Sequence, residues 1–250
     1  MAATALHVEL LRLTPDPEQV VAMGARLCYS KADVTTLKQR VEKNDQQNFI
    51  KRLMEMGHAS VMEHASFTFA IEGISRICLA QLTRHRIASF SVQSQRYVFY
   101  KDGFRYIVPP NIEALGQEAV NAYQEQMATI QGWYEAWQEK LGTGEQSNED
   151  ARFVLPGACE TKLVMTMNAR ELMHFFSLRM CYRAQWEIRE LATQMHRLCL
   201  EVAPALFEQA GSACLNGPCP EGEKSCGRAK EIREQRQLLL NQLRQRTEEK

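Results

Sequence analysis

The sequence predicts an α+β protein with a small antiparallel or mixed sheet flanked by long helices. Segments with strand-like alternation and segments with helical periodicity follow one another without regular βαβ repetition. The chain contains neither a GxGxxG nor a GxxxxGKS/T motif, so it is not a doubly wound nucleotide-binding domain of those types. Its 250 residues are 45% hydrophobic and 24% charged, which is enough apolar material for a large buried core.

The N-terminal part of the chain is expected to hold one strand and two helices. Apolar and polar residues alternate over residues 6–10, as in a strand. Asp16-Pro17-Glu18-Gln19 then combines an N-cap, a proline at the first helical position and a capping-box glutamine, which predicts a helix over residues 17–28. A second helix is predicted over residues 46–56, with Gly57 placed to end it.

The central part is expected to return to strands. Residues 66–72 alternate again and predict a strand, and the pattern over residues 74–84 is helical. Two aromatic and β-branched runs follow, from Tyr97 to Tyr100 and from Phe104 to Val108, divided by the turn residues Asp102-Gly103. They predict a pair of strands.

Long helices dominate the second half of the chain. Pro109-Pro110-Asn111 predicts the start of a long helix, and residues 142–148 have the composition of the loop after it. Asn168 to Glu171 resembles a capping box and opens a helix that carries Arg179. A further amphipathic helix is predicted to end at Pro204.

A change in composition after Gly211 divides the chain. We predict a main domain over residues 1–210 and an extension over residues 211–250, which consists of a Cys/Gly/Pro loop and a charged tail that is either a solvated helix or disordered. The loop carries Cys214, Cys219 and Cys226. Three soft ligands could bind zinc with Cys199 or Cys181 as a fourth, but no CxxC knuckle supports that hypothesis.

Charge and hydropathy exclude several classes of function. Thirty Lys and Arg balance thirty Asp and Glu, so no global field draws the chain to nucleic acid or to an anionic membrane. No apolar stretch is long enough to span a bilayer, and the first residues lack the pattern of a secretory signal. We therefore expect a cytoplasmic protein, in which the eight cysteines do not form a disulfide framework.

Positive charge is concentrated in one segment of this neutral chain. The segment from residue 76 to residue 105 contains one carboxylate, that of Asp102, and six cationic side chains: Arg76, Arg84, Arg86, Arg96, Lys101 and Arg105. Guanidinium groups, hydroxyls and amides at this density bind phosphate and read base edges. One hypothesis is therefore a nucleotide- or RNA-binding module that stacks bases on the aromatic side chains of the stripe from Arg84 to Arg105.

The same segment resembles the signature of the flavin-dependent thymidylate synthases, which is Arg-His-Arg, seven residues and then Ser. Here the signature is Arg84-His85-Arg86 followed by Ser94. The resemblance continues in order over about residues 1–210, through Gly57-His58, Glu63-His64, Phe67-Thr68-Phe69, Gln81, Ser94-Gln95-Arg96-Tyr97, Arg152 before Val154-Leu155-Pro156, Asn168-Ala169-Arg170, Leu178-Arg179 and Ala184-Gln185-Trp186-Glu187.

This resemblance implies an activity, its cofactors and an assembly. It implies a homotetramer with FAD bound in active sites where subunits meet. It further implies methylation of dUMP to dTMP, with 5,10-methylenetetrahydrofolate as carbon donor and NADPH as reductant of the flavin. Small-molecule substrates are then the expected partners, without nucleic acid or membrane.

The resemblance also assigns residues to the cofactor and to the substrate. The positions that match FAD contacts are Ser60, Arg84, His85, Arg86, Asn168, Arg170 and His174. Those that match the dUMP site are Gln81, Arg84, Ser94, Gln95, Arg96, Arg152 and Arg179, with Ser94, Gln95 and Arg96 at the phosphate. Arg179 matches the residue that activates dUMP, since a fixed guanidinium stabilises an ionised uracil ring.

Other chemistries are less well supported by the residues. Ser94 has no neighbouring base that would make it a nucleophile, and none of the eight cysteines lies in the matched segments beside Arg84 to Arg96. The spacing of His58 and His64 does not put both on one helix face, so no metal is assigned there. Val92 departs from the family, many members of which carry Glu or Gln at that position.

Overall fold

The computed structural model of the chain describes residues 2–142 and 144–248. Within that part, four strands form one antiparallel sheet in the order β1-β2-β4-β3. The strands are β1 (His7–Leu13), β2 (Ser66–Ser75), β3 (Ala88–Val92) and β4 (Glu160–Asn168). The prediction of an α+β fold with a small sheet is confirmed.

Helices make up most of the remaining described chain. They are α1 (Pro17–Leu27), α2 (Val34–Glu42), α3 (Gln47–Glu55), α4 (Arg76–Leu82), α5 (Pro110–Glu113), α6 (Gln117–Leu141), α7 (Glu145–Ala151), α8 (Ala169–Arg179), α9 (Trp186–Val202), α10 (Pro204–Phe207) and α11 (Ala229–Glu248). The charged tail is thus helical, while the predicted domain boundary at residue 210 stays a prediction. None of the described helices combines the length and the apolar character that crossing a membrane requires.

The chain forms two compact units that exchange segments along the sequence. The first comprises Met1–Val8, Ala70–Arg86 and Phe90–Met165, and the second comprises Glu9–Phe69, Ile87–Ser89 and Thr166–Lys250. Each of the four strands contributes residues to both units.

Each unit has its own buried core. The first is built around Phe104, Tyr106, Met127 and Cys159, which are at most 5% exposed. In the second, the ring of Phe207 meets that of Phe67 edge-on at 5.2 Å between centroids and that of Phe176 at 6.0 Å. Edge-to-face pairs of this kind add to the free energy gained from burying the rings.

The predicted strand pair at 97–108 is wrong. Only Tyr106 pairs there, through isolated bridges to Ala3 and Cys159. The backbone groups that a hairpin would use bond instead to Gln131 of α6, whose Nε2 donates to the Tyr100 carbonyl at 3.0 Å and whose Oε1 accepts from the Phe104 N–H at 3.2 Å. The Gln131 side chain, from a helix later in the sequence, therefore takes the hydrogen bonds that a partner strand would have made.

Other boundaries also differ from expectation. The segment predicted as a loop at 142–148 mostly belongs to α7, where Gln138 holds Ser147 and Asn148 by hydrogen bonds of 3.0 and 2.7 Å.

The long helix begins at Gln117, after the separate turn of α5. Helix α1 starts at Pro17 as predicted, but Asp16 adopts φ 46° and its side chain does not cap the helix. Strands β3 and β4 and helix α2 were not predicted.

Gly73 of β2 allows a close approach of two backbone segments. Its φ is +73°, and a Cβ built there would lie 1.9 Å from the carbonyl oxygen of Ala5. Its N–H also donates to the buried carboxylate of Glu160 at 3.1 Å, so the backbone cannot move away without breaking that bond. Glycine is therefore required at this position.

We expect Gly73→Ala to lower the free energy of unfolding by roughly 3 kcal/mol or more, because backbone strain and a backbone clash add together. Gly57→Ala is the matched control, since Gly57 has φ +75° but no atom within 4 Å of the added Cβ. The control should lose only about 1 kcal/mol. Urea unfolding of both variants measures the difference, and equal losses would contradict the close-approach argument.

Candidate active site

The Arg84-His85-Arg86 segment follows directly from the capped helix α4. The Ser75 side chain accepts a hydrogen bond from the Cys78 N–H at 3.0 Å and so caps α4 where β2 ends. His85, 5% exposed, is anchored by its N–H to the Leu82 carbonyl at 3.1 Å. Arg84 and Arg86 on either side are exposed, so two guanidinium groups flank one buried imidazole.

Strand β3 leads the chain from this segment to Ser94. At the end of the strand, the Gln93 N–H donates to the Lys162 carbonyl at 2.8 Å. Arg76 donates to the Thr161 hydroxyl at 3.0 Å and to the Gln93 carbonyl at 3.4 Å. Arg76 was not assigned to the site from sequence, and here it fixes the backbone that precedes Ser94.

Ser94, Gln95 and Arg96 form a turn, and the side chain of each lies in a different environment. The Ser94 hydroxyl accepts a hydrogen bond from the Arg96 N–H at 3.1 Å. The side chain of Gln95 is buried, and its Nε2 donates to Cys159 Sγ at 3.5 Å. The Gln95 side chain thus points into the core of its unit, and its local role is to hold the turn.

Arg96 lies between two carboxylates of α7. Its Nη2 donates to Glu145 at 2.6 Å, and its Nε lies 3.0 Å from Glu149 Oε2. That buried Nε has no hydrogen bond of good geometry among the described residues. The guanidinium is therefore held by two ion pairs while its side chain stays 40% exposed.

Arg152 approaches the same place from the following turn. Its Nε donates to the backbone carbonyl of Glu149 at 3.1 Å, while the Glu149 carboxylate faces Arg96. The side chain of Asn148 also donates to the Arg96 carbonyl, at 2.9 Å. Two arginines that are 56 positions apart in sequence, both assigned to the dUMP site, therefore meet around Glu149.

The remaining candidates lie in the second unit, at and near helix α8. Asn168 Oδ1 accepts a hydrogen bond from the Glu171 N–H at 2.9 Å, so Asn168 is the N-cap of α8, as its capping box predicts. Exposed Arg170 forms an ion pair with Glu63, and the N–H of Ala169 donates to the Ala65 carbonyl at 2.7 Å. Ser60 is exposed, one residue into the 3₁₀ helix Ala59–His64.

His174 and Arg179 complete α8. His174 is exposed, and Arg179 is the last residue of the helix. Phe175 and Phe176 are fully buried, whereas Arg179, four and three residues further along the same helix, is partly exposed. Its charge lies at the helix C-terminus, where the helix dipole favours a cation.

Comparison with known proteins identifies the family. The family model of the thymidylate synthase complementing proteins matches residues 9–205. The chain belongs to this family. It is 50% identical over 229 residues to the flavin-dependent thymidylate synthase of Geobacter sulfurreducens, a match that covers 91% of this chain and 97% of the relative. It is 47% identical over 240 residues to the enzyme of the same name from Clostridium tetani, covering 91% and 96%.

A solved structure agrees with this assignment. The UMP/dUMP methylase PolB from Streptomyces cacaoi, bound with 5-Br dUMP, superposes with a TM-score of 0.68 and 25% identity, covering 83% of this chain and 95% of that one. The recognition of the flavin-dependent thymidylate synthase family from sequence is confirmed, and the chain is an enzyme of the methyltransferase type. The RNA-binding alternative is not favoured.

Among the described residues, a metal centre would require His, Cys, Asp or Glu side chains at a suitable spacing. Among the side chains described, no three His, Cys, Asp or Glu residues are grouped to hold a metal ion, and this includes the loop with Cys214, Cys219 and Cys226. Between His58 and His64, Glu63 forms the ion pair with Arg170. Cys181, Cys219 and Cys226 nevertheless lie close enough to Cys214 to influence its pKa, so the zinc hypothesis for the C-terminal cysteines stays a prediction.

A cysteine does lie beside the candidate nucleotide residues, although sequence proximity did not indicate one. Cys159 is fully buried and contacts Gln95. Burial raises the pKa of the Cys159 thiol to about 11, so the thiol is protonated at neutral pH and is not a nucleophile. Burial likewise raises the pKa of neighbouring Tyr100 to about 12.

We therefore expect iodoacetamide to leave Cys159 unmodified in the folded enzyme at pH 8, where less than about 1% of a thiol with this pKa is ionised. The exposed thiols of Cys28 and Cys226 serve as internal controls and should react quickly. Peptide mapping by mass spectrometry checks both. Modification of Cys159 at a rate comparable with that of Cys28 would show that this thiol is accessible and ionised.

Proposed function

We propose that this chain catalyses the reductive methylation of dUMP to dTMP, with bound FAD, with NADPH as reductant and with 5,10-methylenetetrahydrofolate as carbon donor. The observation that best supports the substrate is the convergence of Arg96 and Arg152 around Glu149, next to the Ser94 turn. Hydroxyl, backbone and guanidinium donors at one turn suit a phosphate dianion. Membership of the family supports the methylation of dUMP as the reaction.

Phosphate binding at this turn would replace a carboxylate partner of Arg96 with the phosphate group. Glu145 and Glu149 hold Arg96 in position, and the Arg96 side chain is 40% exposed, so its ion pairs are weak enough to yield to a ligand. A phosphate would take the place of a carboxylate on the exposed part of the Arg96 guanidinium and would accept from the Ser94 hydroxyl. Gln81 would then contact the nucleotide from α4.

The exposed arginines of the signature fit an anionic cofactor. Neither Arg84 nor Arg86 has an ion-pair partner among the residues described, and His85 between them is fixed by burial. Two such guanidinium groups fit the pyrophosphate of FAD. In the second unit, Asn168, Arg170, Ser60 and His174 would hold the cofactor, with Arg170 leaving Glu63 for a phosphate oxygen. When bound, the flavin supplies the redox chemistry.

Arg179 is proposed to activate the uracil ring. A guanidinium stays protonated at neutral pH, so it cannot remove a proton itself. It can stabilise the negative charge that develops on the ring, and C5 then becomes more reactive towards the incoming carbon. No protein nucleophile is required, which agrees with the protonated state of Cys159. We further propose a cytoplasmic homotetramer with active sites at the subunit interfaces.

The direct test is a product assay. The purified, FAD-loaded protein is incubated with dUMP, NADPH and 5,10-methylenetetrahydrofolate, and dTMP is measured by chromatography. Product should form only with all components present, and omission of any one should abolish it. Formation of dTMP by flavin-free protein, or none by the complete mixture, would overturn the proposal.

Arg179 and Arg84 should separate catalysis from cofactor binding. We expect Arg179→Ala to lower dTMP formation by on the order of 1,000-fold while flavin stays bound, because one charge-stabilising group is lost. Arg84→Ala should instead release flavin on gel filtration, measured by absorbance. Arg40→Ala, an exposed arginine of α2, is the control that should change neither. Loss of flavin from Arg179→Ala would mean that its role is wrongly assigned.

Arg96 should act on substrate affinity. We expect Arg96→Gln to raise the KM for dUMP by on the order of tenfold or more with a smaller change in kcat, since a charge-assisted phosphate contact is lost. The double variant Glu145→Gln and Glu149→Gln should lower the KM several-fold, because it removes the carboxylates that compete for Arg96. Steady-state kinetics measures both, and an unchanged KM in Arg96→Gln would contradict phosphate binding by this residue.

A further inference from the structure

Four cysteines of the second unit lie around the loop over residues 211–228. Three are in the loop itself, and the fourth is in the turn between α8 and α9. We refer to them as the four-cysteine group: Cys181, Cys214, Cys219 and Cys226. Hydrogen bonds connect the turn to the loop at three points, and each point is next to one of the loop cysteines.

The first connection brings Cys181 and Cys214 together. The Ser212 hydroxyl donates to the Met180 carbonyl at 2.8 Å, so the residue before Cys181 meets the residue two positions before Cys214. Arg233 of α11 holds the next part of the loop, because its Nε donates to the Cys214 carbonyl at 3.0 Å. The buried thiol of Cys214 therefore has a backbone that is fixed from two sides.

Arg183 connects the same turn to Cys219 and Cys226. Its Nη1 donates to the Glu221 carboxylate at 2.6 Å and to the Lys224 carbonyl at 2.9 Å. Arg183 lies two residues after the cysteine of the turn, and its two acceptors lie two residues from Cys219 and from Cys226. All three loop cysteines are thus held near the one that precedes α9.

The electrostatics of Cys214 agrees with this placement. Burial raises the pKa of its thiol, and the nearby thiols of Cys219, Cys181 and Cys226 raise that pKa further. Cys199, which the sequence offers as an alternative fourth ligand, is instead fully buried on α9, where desolvation raises its pKa well above the usual range. The structure therefore favours Cys181 as the fourth member of the group.

The loop has little apolar surface with which to hold itself in place. No residue of the described segment 216–228 is buried, and the helical structure in that segment is a single 3₁₀ turn, Gly222–Lys224. Small elements that lack a hydrophobic core are typically stabilised by disulfides or by a structural metal. The cysteines of the four-cysteine group are free thiols. A metal is the remaining means of fastening such a loop.

We propose that the four-cysteine group binds a structural zinc ion, which fastens the extension to the turn between α8 and α9. Sulfur ligands favour zinc over hard cations, and four of them complete a tetrahedral site without an open position for a substrate. As the described chain stands, its thiols are not grouped closely enough to hold a metal. Zinc would therefore draw the four thiols together and displace their protons. This role does not depend on the proposed methylation chemistry.

Metal analysis of the full chain, with flavin bound and without an affinity tag, tests the proposal. The reduced protein is incubated with zinc sulfate and freed of excess metal, and zinc is then measured by mass spectrometry. We expect one zinc ion per chain, with X-ray absorption showing four sulfur neighbours at about 2.3 Å. A chain that retains no zinc, or zinc with fewer than four sulfur neighbours, would overturn the proposal.

Single variants identify the ligands. Cys181→Ser and Cys219→Ser should each weaken zinc binding by more than the roughly 10- to 100-fold that loss of an outer-shell partner costs. Cys28→Ser is the matched control, since Cys28 is an exposed thiol outside the group, and Cys199→Ala tests the alternative ligand. Competition with a chromophoric chelator measures each affinity. Unchanged affinity in Cys181→Ser, or an equal loss in Cys28→Ser or Cys199→Ala, would overturn the assignment.

Limited proteolysis reports on the loop itself. Trypsin cleaves after Lys224 and Arg228, which are both exposed. The zinc-loaded protein should be cut there at least about tenfold more slowly than the same protein after zinc is removed by a chelator, because metal binding stabilises the folded loop. Cleavage after exposed Arg40 of α2 is the internal control and should not depend on zinc. Equal rates at Lys224 with and without zinc would contradict the proposed role.

Discussion

Two capped junctions between strand and helix set the geometry on which the proposed chemistry depends. Strand β2 ends at Ser75 and α4 begins at Arg76, while β4 ends at Asn168 and α8 begins at Ala169. With no intervening loop, the first free N–H groups of each helix need a local acceptor, which the side chains of Ser75 and Asn168 provide. The direction of each helix is therefore fixed by the strand before it, and with it the place of the arginines that the helix carries.

Electrostatics in this protein is local. With a net charge of zero, the chain cannot attract anionic ligands over long distances, so each anion must be bound by particular guanidinium groups. The arginines assigned to anion binding are of two kinds: some form ion pairs with carboxylates, and others are exposed. Arg96 and Arg170 are held by carboxylates, which orient them and must be displaced or shared when a phosphate binds. Arg84 and Arg86 are exposed and ready to pair.

The parts of the fold that the sequence predicts correctly depend on short-range chemistry. The Asn168 cap is an example, since the acceptor and the N–H of Glu171 are three residues apart. The predicted hairpin after Tyr97 failed because its backbone groups bond to Gln131, about thirty residues away. Alternation over Thr161, Leu163, Met165 and Met167, all buried, could have indicated β4. The resemblance to the family assigned Arg96 and Arg152 to one site, but no local pattern indicated that they meet around Glu149, because composition did not predict the helix that carries Glu149.

The most direct test of the account is an absorbance spectrum of the purified protein in the near-ultraviolet and visible range. It is recorded without oxygen, before and after NADPH is added in the presence of dUMP. The account predicts flavin bands in the isolated protein that bleach on reduction and return when oxygen is admitted. A colourless protein that takes up no FAD, or a bound flavin that NADPH does not reduce, would contradict it.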